Sequence, residues 1–573
     1  MNQNDYKDNK NTILILIFLL QVLFMAYRFV PTLRDINLWD EAIYINAGRD
    51  LINGTLTPFE WNPFVSIFFA VTYLPFRSSP YWMMQSASLA RFLMFGLMWL
   101  GCILIARRAK YQIHPLVMAG ILFSVTLLTD ILNNPTDALF AAMSGLAFWK
   151  LLSFYELREE KQLGWTSFFL GLAALSRNDG LILFGVFAFI SLFFMRMSPR
   201  KIQHLLYTVF PFFGFVLGYF LIYGMATGNF VLGTKERSYI AFEQGQAELY
   251  QENDSCVQSF SRCAILEARR LYGTPQENEY SVFNAVRRNP SAMMDRVVHS
   301  LKVLPELIYS AYGKRTAYLL FILAAAGIFE LARKRQLLLL GTLLIWTSYL
   351  GVYFLTFFRE GYLQTPFFVV VALAAVGVSS LIDVIIAGEK EFWVWTAILV
   401  FLSAVGMAKQ LNYLYFNTLV LLTIFWVGRL LSLNGMQGLK PVLFLIFFAG
   451  GVIVRGSYNP PQLQTWGKIP EEQAVVLMQE SLPQDSLVAA GAPGAVYAAR
   501  MKYFELADLD GSINSTEELH AQLSALGVQA IYVDSFLSSR NRHIYEFVDA
   551  GIGDEFEQIF SGRDGSIQVL RVK

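Results

Sequence analysis

The sequence predicts a polytopic α-helical membrane protein that carries a small soluble α/β domain at its C-terminal end. The chain has 573 residues, of which 55% are hydrophobic and only 16% are charged. This composition is more apolar than a soluble domain needs. Long apolar stretches recur up to about residue 456, and the composition changes after that point.

About thirteen apolar stretches come close to the roughly 20 residues that a helix needs to cross a hydrocarbon core of about 30 Å. The fifth and sixth are separated by little more than Arg177 to Asp179. The predicted spans are 12–30, 86–106, 115–130, 138–155, 165–177, 180–196, 204–226, 316–332, 337–357, 362–386, 392–408, 411–431 and 439–455.

The orientation follows from the short basic loops, because Lys and Arg are retained on the cytoplasmic side. One alternating assignment fits well and places six short basic clusters inside. The clusters are Lys7 and Lys10, Arg107 to Lys110, Arg158 and Lys161, Arg196 to Lys201, Arg333 to Arg335, and Lys390. We therefore predict a cell-membrane module over 1–456, with outer loops at 31–85 and 227–315, and an extracytoplasmic domain over 457–573.

The tail predicts an α/β domain, because short apolar runs alternate with amphipathic stretches. It contains no Gly-rich phosphate loop, no metal-spaced Cys/His set and no nucleophile elbow, so we expect it to support or recruit rather than react. The predicted strands are 486–490, 530–533 and 567–570, and the predicted helices are 517–526 and 542–550.

Charge and cysteine content exclude two classes of protein. A net charge of +1 gives no argument for binding nucleic acid, and three cysteines are too few for a disulfide scaffold. Cys256 and Cys263 lie together in an outer segment, where either a local disulfide or two free thiols is compatible with the spacing. Cys102 lies in a predicted span, where we expect it to pack.

The strongest chemical signal is a pair of adjacent carboxylates, Asp40 and Glu41, directly after the first span. If the stretch is helical, Asp40 and Tyr44 share a face and Glu41 points roughly 100° away. An acidic first turn also favours the helix dipole without any function. At the lipid interface, however, a cavity between helices could desolvate one carboxylate and tune it as a base.

Further charges fall at the same predicted outer side. Asp137 begins a span, and Asp179 follows Arg177 at the end of another. A charge is costly at the bilayer centre and tolerated near span ends, but acids are seldom clustered on one side without a use. Arg91 and Arg359 also lie at outer span ends, where they could bind a phosphate or anchor a helix at the interface.

These motifs resemble the GT-C superfamily of integral-membrane glycosyltransferases, and most closely its branch of protein O-mannosyltransferases and bacterial lipid A aminoarabinose transferases. Residues 39–54, with the acidic pair followed by a small-residue face and Gly48, resemble the first outer loop of that branch. The other matching segments are Asn62 to Phe64, Ala90 to Arg108, Asn134 to Asp137, Ser176 to Gly180 and Arg359 to Pro366, the last with Gly361 intruding.

The resemblance implies an inverting transfer of a sugar from a polyprenyl-phosphate donor to a glycan, lipid or protein acceptor at the outer face. Asp40 would be the catalytic base. A divalent cation is used in some relatives and not in the favoured branch, so metal use stays open. The residues expected to bind substrate are Glu41, Tyr44, Arg91, Asp137, Arg177, Asp179, Arg359 and Tyr362.

Two other classes of function are compatible with the sequence. A transporter or flippase for a lipid-linked or polar substrate also has many spans with charged residues, but it predicts charges near the midplane rather than at outer span ends. A scaffold or sensor would use the tail to bind a partner. Replacement of Asp40 by Asn distinguishes these classes. An enzyme should lose its catalytic activity and still fold, whereas a scaffold should be unaffected.

Overall fold

The computed structural model describes most of the chain, and its two compact units are considered separately. The described residues are 39–58, 61–108, 134–196, 198–228, 230, 239, 241–243, 245, 268–312, 317–354, 359–433, 443, 469–509, 513–540, 542–563 and 565–573. The unit that we call the helical unit comprises Met1–Met25, Leu93–Leu232 and Asp295–Asn459. The mixed unit comprises Ala26–Phe92, Gly233–Met294 and Pro460–Lys573. The two predicted outer loops thus belong largely to the same unit as the tail.

Long apolar helices build the helical unit. Two of them, α3 and α9, begin in the mixed unit and continue into the helical unit. The helices are α3 (Trp82–Arg108), α4 (Pro135–Leu157), α5 (Lys161–Ser176), α6 (Asp179–Met195), α7 (Lys201–Thr227), α9 (Pro290–Ala311), α10 (Ala317–Arg333), α11 (Leu337–Trp346, continued by a 3₁₀ helix over Thr347–Phe354), α12 (Glu360–Gln364), α13 (Phe367–Ala387), α14 (Glu389–Ala408) and α15 (Asn412–Leu433).

The polytopic α-helical class is confirmed. Within the described residues, six helical stretches are long and apolar enough to cross a membrane: Pro135–Leu157, Lys201–Thr227, Leu337–Phe354, Phe367–Ala387, Lys390–Ala408 and Asn412–Leu433. The total of about thirteen spans stays a prediction, because 12–30 and 115–130 lie outside the described residues and 439–455 lies outside them except at 443. Helix α4 is buried along most of its length and α7 is largely exposed, which is the pattern of a central and a lipid-facing helix.

A polar side chain from α5 bonds to α7 beside a proline. Pro211 lies inside α7 and cannot donate a backbone hydrogen bond, so the preceding turn needs other partners. The Ser167 hydroxyl donates to the Thr208 carbonyl over 2.7 Å and accepts from the Phe212 N–H over 3.0 Å. These two bonds supply polar partners where the helix is interrupted. They also fix the position of α5, whose C-terminal end carries Arg177.

Helices α10 and α13 approach each other closely at two glycines. A Cβ on Gly327 would overlap the Leu373 carbonyl oxygen, and a Cβ on Gly377 would overlap the Leu323 carbonyl oxygen. Small residues let helix backbones come together in a membrane, where dispersion contacts replace the hydrophobic effect as the driving force.

The mixed unit combines short helices with the C-terminal α/β domain. Its helices outside the tail are α1 (Trp39–Ile52), α2 (Pro63–Tyr73), the 3₁₀ helix Leu74–Phe76 and α8 (Val282–Arg288). Within this unit the Trp82 indole N–H donates to the Ala498 carbonyl over 3.0 Å. Trp82 is fully buried, so this bond fastens the tail to the segment that follows α2.

The tail forms a five-stranded sheet in the order β2-β1-β3-β5-β4. Strand β1 pairs in parallel with β2 and β3, and β5 pairs antiparallel with β3 and β4. The elements are α16 (Pro470–Ser481), β1 (Leu487–Ala490), α17 (Gly494–Ala498), β2 (Lys502–Glu505), α18 (Thr516–Ala525), β3 (Val528–Val533), α19 (Ser535–Arg540), α20 (Arg542–Ala550), β4 (Phe556–Ser561) and β5 (Gln568–Val572).

The predicted α/β character of the tail is confirmed, and each of its three predicted strands and two predicted helices has a counterpart within a few residues. Strands β2 and β4 were not predicted. Both lie at the edges of the sheet and are largely exposed or half-buried, so they lack the apolar run that identifies a buried strand. Cys102 is buried in α3, as expected, and Cys256 and Cys263 lie outside the described residues.

We expect Gly327→Ala to destabilise the helical unit by about 1–3 kcal/mol, because the added methyl group forces α10 away from α13. Thermal unfolding of the full chain in detergent measures this effect. Gly185→Ala is the matched control, since a Cβ at this helical position meets no atom within 4 Å. Equal melting temperatures for the two variants would contradict the close packing at Gly327.

Candidate active site

The two acidic residues of the first loop have different surroundings. Both lie in the first turn of α1, where Asp40 is exposed and Glu41 is buried with an exposed fraction of 2%. Asp40 has no hydrogen bond or ion pair with another residue of the described chain. The rotation of about 100° per residue along a helix separates the neighbours, as the sequence predicts. Asp40 is therefore the carboxylate of the pair that an external group can reach.

Glu41 is paired with Arg91 of α3. The Arg91 Nε–H donates to Glu41 Oε1 over 3.1 Å, and the Arg91 Nη2 group donates to Glu41 Oε2. Both side chains are 2% exposed, so each charge depends on the other for solvation. Such a bidentate pair fixes the start of α1 against α3 and leaves Arg91 engaged by a carboxylate.

Tyr44 is held by a residue at the start of α2. Asn62, which has a left-handed backbone (φ 53°) at the start of α2, donates from Nδ2 to the Tyr44 hydroxyl over 2.9 Å. Asparagine adopts this conformation more readily than most residues. Gly48, in the next turns of α1, packs so closely on α2 that a Cβ would lie 2.7 Å from the Phe69 Cβ. The small-residue face of the first loop is therefore a helix-packing surface.

The helical unit brings a second set of predicted residues together. Arg177 follows α5, and its Nη1 group contacts Asp137 Oδ1 while its Nε–H contacts Asp179 Oδ2. Asp137 is 1% exposed at the N-terminal turn of α4, and Asp179 begins α6. The Tyr353 hydroxyl donates to Asp179 Oδ2 over 2.6 Å. We refer to Asp137, Arg177, Asp179, Tyr353 and Tyr362 as the charged cluster.

Aromatic rings cover the guanidinium of the charged cluster. The Arg177 Cζ atom lies 4.0 Å from the centroid of the Tyr362 ring, which stacks on Tyr353 with 4.6 Å between ring centroids. An aromatic face attracts a cation, and more strongly when water is excluded. The Arg177 Cζ atom also lies 5.7 Å from the Tyr353 centroid, so Arg177 is held by two carboxylates and two aromatic rings.

The segment 359–364 completes this region. Gly361 packs against Asp137, where an added Cβ would lie 2.9 Å from Asp137 Oδ2. Gly361, which interrupts the family-like motif, has no side chain and therefore leaves room for the Asp137 carboxylate. Arg359 is exposed and acts electrostatically on Asp137 and on Tyr362.

The predicted residues thus form two groups, one in each unit. Glu41, Arg91 and Tyr44 lie around α1 in the mixed unit, with Asp40 beside them, and the charged cluster with Arg359 lies in the helical unit. Sequence reasoning missed Tyr353 and the close approach of Gly361. Tyr353 stands in an apolar stretch with no charged neighbour at helical spacing, so only the tertiary fold identifies it.

The charged cluster does not fit a divalent cation held between Asp137 and Asp179, because the guanidinium of Arg177 already bridges those carboxylates. Within the described residues there is no group of three or more His, Cys, Asp and Glu side chains placed to bind a metal. Positive charge at this position is supplied by the side chain of Arg177.

Comparison with known proteins shows the fold. The structure of ArnT from Cupriavidus metallidurans in the apo state aligns over 98% of both chains, with a TM-score of 0.56 and 15% identity. The same protein bound to undecaprenyl phosphate aligns over 97% of both chains, with a TM-score of 0.53 and 13% identity. This chain therefore has the ArnT fold, and the predicted GT-C resemblance is confirmed at the level of the fold.

The remaining comparisons do not extend this result. The oligosaccharyltransferase of Archaeoglobus fulgidus aligns with 96% of this chain and 74% of its own, at a TM-score of 0.46 and 15% identity. No family model matches this sequence. No curated protein sequence matches it either.

A double-mutant cycle tests whether Glu41 and Arg91 form a structural pair. We expect Arg91→Met alone to lower the free energy of unfolding by about 3–5 kcal/mol, because it leaves a buried carboxylate without its partner. Adding Glu41→Leu should recover most of that loss. Thermal unfolding of the four proteins measures the coupling, and additive losses would contradict a structural pair.

Proposed function

We propose that this protein is a membrane glycosyltransferase that moves a sugar from a polyprenyl-phosphate carrier to an acceptor hydroxyl on the outer face of the membrane. The observation that carries the proposal is the charged cluster at the ends of apolar helices. Ionised side chains that are buried, as Asp137 is, are costly unless partners compensate them, and they often mark a functional site. The cluster lies in a fold shared with ArnT, whose structure was solved bound to undecaprenyl phosphate.

In the proposed reaction Asp40 is the catalytic base. The acceptor oxygen attacks the anomeric carbon and gives its proton to the Asp40 carboxylate. The bond between that carbon and the phosphate oxygen breaks, and the electron pair leaves with the polyprenyl phosphate. Attack opposite to the leaving group inverts the anomeric centre. The exposure of Asp40 supports this role, because the base must meet a hydroxyl that arrives from outside.

The leaving phosphate needs a cation, and Arg359 is our candidate for it. A guanidinium binds phosphate oxygens in a bidentate manner. Arg359 is exposed and lies within electrostatic range of Asp137, so it can face a ligand while it belongs to the charged region. Arg177 is instead a positioning residue, since its Nε and Nη1 groups are committed to Asp179 and Asp137. No step of this proposal uses a metal ion.

The overall function is tested by comparing lipid extracts of cells with and without the protein. We expect a polyprenyl-phosphate sugar to accumulate and one glycan to disappear when the protein is absent. Transport of an unmodified substrate across vesicle membranes, without a new glycosidic bond, would support a transporter instead and overturn the proposal.

Asp40→Asn is expected to lower the transfer rate by about 10²–10⁴-fold, which is the usual contribution of a general base. Binding of the lipid carrier and thermal stability should remain unchanged, because Asp40 makes no hydrogen bond or ion pair with another described residue. Complementation of the deleted strain and direct binding of undecaprenyl phosphate measure the two effects. Asp549→Asn, an exposed aspartate of the tail, is the matched control. Full complementation by the Asp40 variant would remove this residue from the mechanism.

Arg359→Gln is expected to weaken binding of undecaprenyl phosphate about tenfold, because one charge-assisted contact to phosphate is lost. Arg359→Lys should recover part of the affinity, since it keeps the charge and loses the bidentate geometry. Binding to the purified chain in neutral-lipid nanodiscs measures both variants. Arg335→Gln, an exposed arginine at a predicted cytoplasmic loop, should bind like the wild type. Unchanged affinity in Arg359→Gln would place the phosphate elsewhere.

A further inference from the structure

A polar cavity lies within the mixed unit, between the tail and the segment after α2. It has a volume of about 320 Å³, comparable to a small ligand site. Its polar lining comes from Ser78, Ser79, Gln479, Gln484 and Arg500. There is no carboxylate among the eight described residues that line it, so the positive charge of Arg500 is not opposed within the lining.

Hydrogen bonds across the cavity hold its two walls together. The Arg500 Nη2 group donates to the Arg77 carbonyl over 2.6 Å, and the Gln479 Nε2 group donates to the Pro80 carbonyl over 3.4 Å. The walls are thus fixed before a ligand enters, which lowers the entropic cost of binding.

Arg500 has a backbone conformation that is unusual for arginine. Its φ angle is +64°, in the left-handed region that favours glycine and asparagine. Such conformations persist where the surroundings enforce them and occur often at ligand sites. The N–H of Arg500 bonds to the Tyr497 carbonyl and the N–H of Met501 bonds to the Val496 carbonyl, so the turn after α17 enforces the geometry. This turn presents the guanidinium at the cavity.

The remaining groups suit a hydroxylated ligand. Ser78 and Gln484 have no hydrogen-bond partner within the described residues, and Ser79 accepts from the Tyr81 N–H over 3.1 Å while its own hydroxyl hydrogen can donate. Serine hydroxyls and an amide pair with sugar hydroxyls, and the guanidinium pairs with a phosphate or carboxylate.

We propose that this cavity is a subsite for an anionic sugar unit, phosphorylated or carboxylated, of the acceptor glycan. That the ligand belongs to the acceptor rests on the proposed transferase function. That the ligand is an anionic sugar rests on the cavity itself. The serine, glutamine and arginine side chains of the lining favour a polar occupant over the polyprenyl chain of the donor. An anionic phospholipid headgroup shares the same chemistry and is separated from a sugar by the experiment.

Binding of glucose 6-phosphate to the full chain in phosphatidylcholine nanodiscs tests the proposal. We expect saturable binding, with glucose binding at least about tenfold more weakly because it lacks the charge. Ser78→Trp, which fills the cavity, and Gln484→Ala, which removes one amide, should each weaken binding, the former more. Lys502→Gln removes an exposed cation of β2 that does not line the cavity, and should have no effect.

Four outcomes would overturn the subsite. Glucose could bind as tightly as glucose 6-phosphate, or the Ser78 and Gln484 variants could bind like the wild type. Inorganic phosphate could bind as tightly as the sugar phosphate, which would indicate a simple anion site. Phosphatidylglycerol in the nanodiscs could displace the sugar phosphate, which would indicate a headgroup site.

The same proteins separate this proposal from the proposed function. Asp40→Asn should retain binding of glucose 6-phosphate and lose glycosyl transfer. If the wild type binds the sugar phosphate in a manner sensitive to Ser78→Trp but forms no glycosidic bond, the transferase function fails and the binding site stands. If transfer is intact and Ser78→Trp neither weakens binding nor slows transfer, the subsite fails and the function stands.

Discussion

The arrangement on which the helical unit depends is the guanidinium of Arg177 between the buried carboxylate of Asp137 and the half-buried carboxylate of Asp179. A charge removed from water must be compensated inside the protein, because its desolvation costs several kcal/mol. Asp137 belongs to α4, Asp179 to α6, and Tyr353 to the 3₁₀ continuation of α11, so their contacts with Arg177 and with each other join three separate parts of the chain. The end of α5 can therefore occupy only the position that satisfies all three.

The same constraint operates in the mixed unit and gives the two neighbouring acids different roles. Glu41 is buried and neutralised by Arg91, which leaves it little capacity to act on a substrate. Asp40 is exposed one residue earlier, and the pair beneath it fixes the helix that carries it. In the proposed mechanism, a structural carboxylate next to the catalytic base explains why the loop has two acids. Mutation of Glu41 should therefore affect stability, whereas mutation of Asp40 should affect activity.

Much of the fold could be predicted from the sequence because its signals are local. Apolar runs gave most described helices within a few residues, and alternation gave the central strands of the tail. The edge strands β2 and β4 lack that signal. The pairing of Glu41 with Arg91 joins residues 50 positions apart, and no pattern in either segment specifies the partner. The contact of Gly361 with Asp137 depends in the same way on tertiary packing, although its glycine already departed from the expected motif.

The commitments of each arginine decide what it can offer a ligand. Arg91 could release a phosphate-binding guanidinium only by leaving Glu41 buried and unpaired, and Arg177 could do so only by exposing Asp137 and Asp179 to each other. Both changes cost more than one phosphate contact returns. A phosphate site in the helical unit is therefore better built on a cation at its surface. Arg359 meets that requirement, since it is exposed and still acts on the buried carboxylate of Asp137.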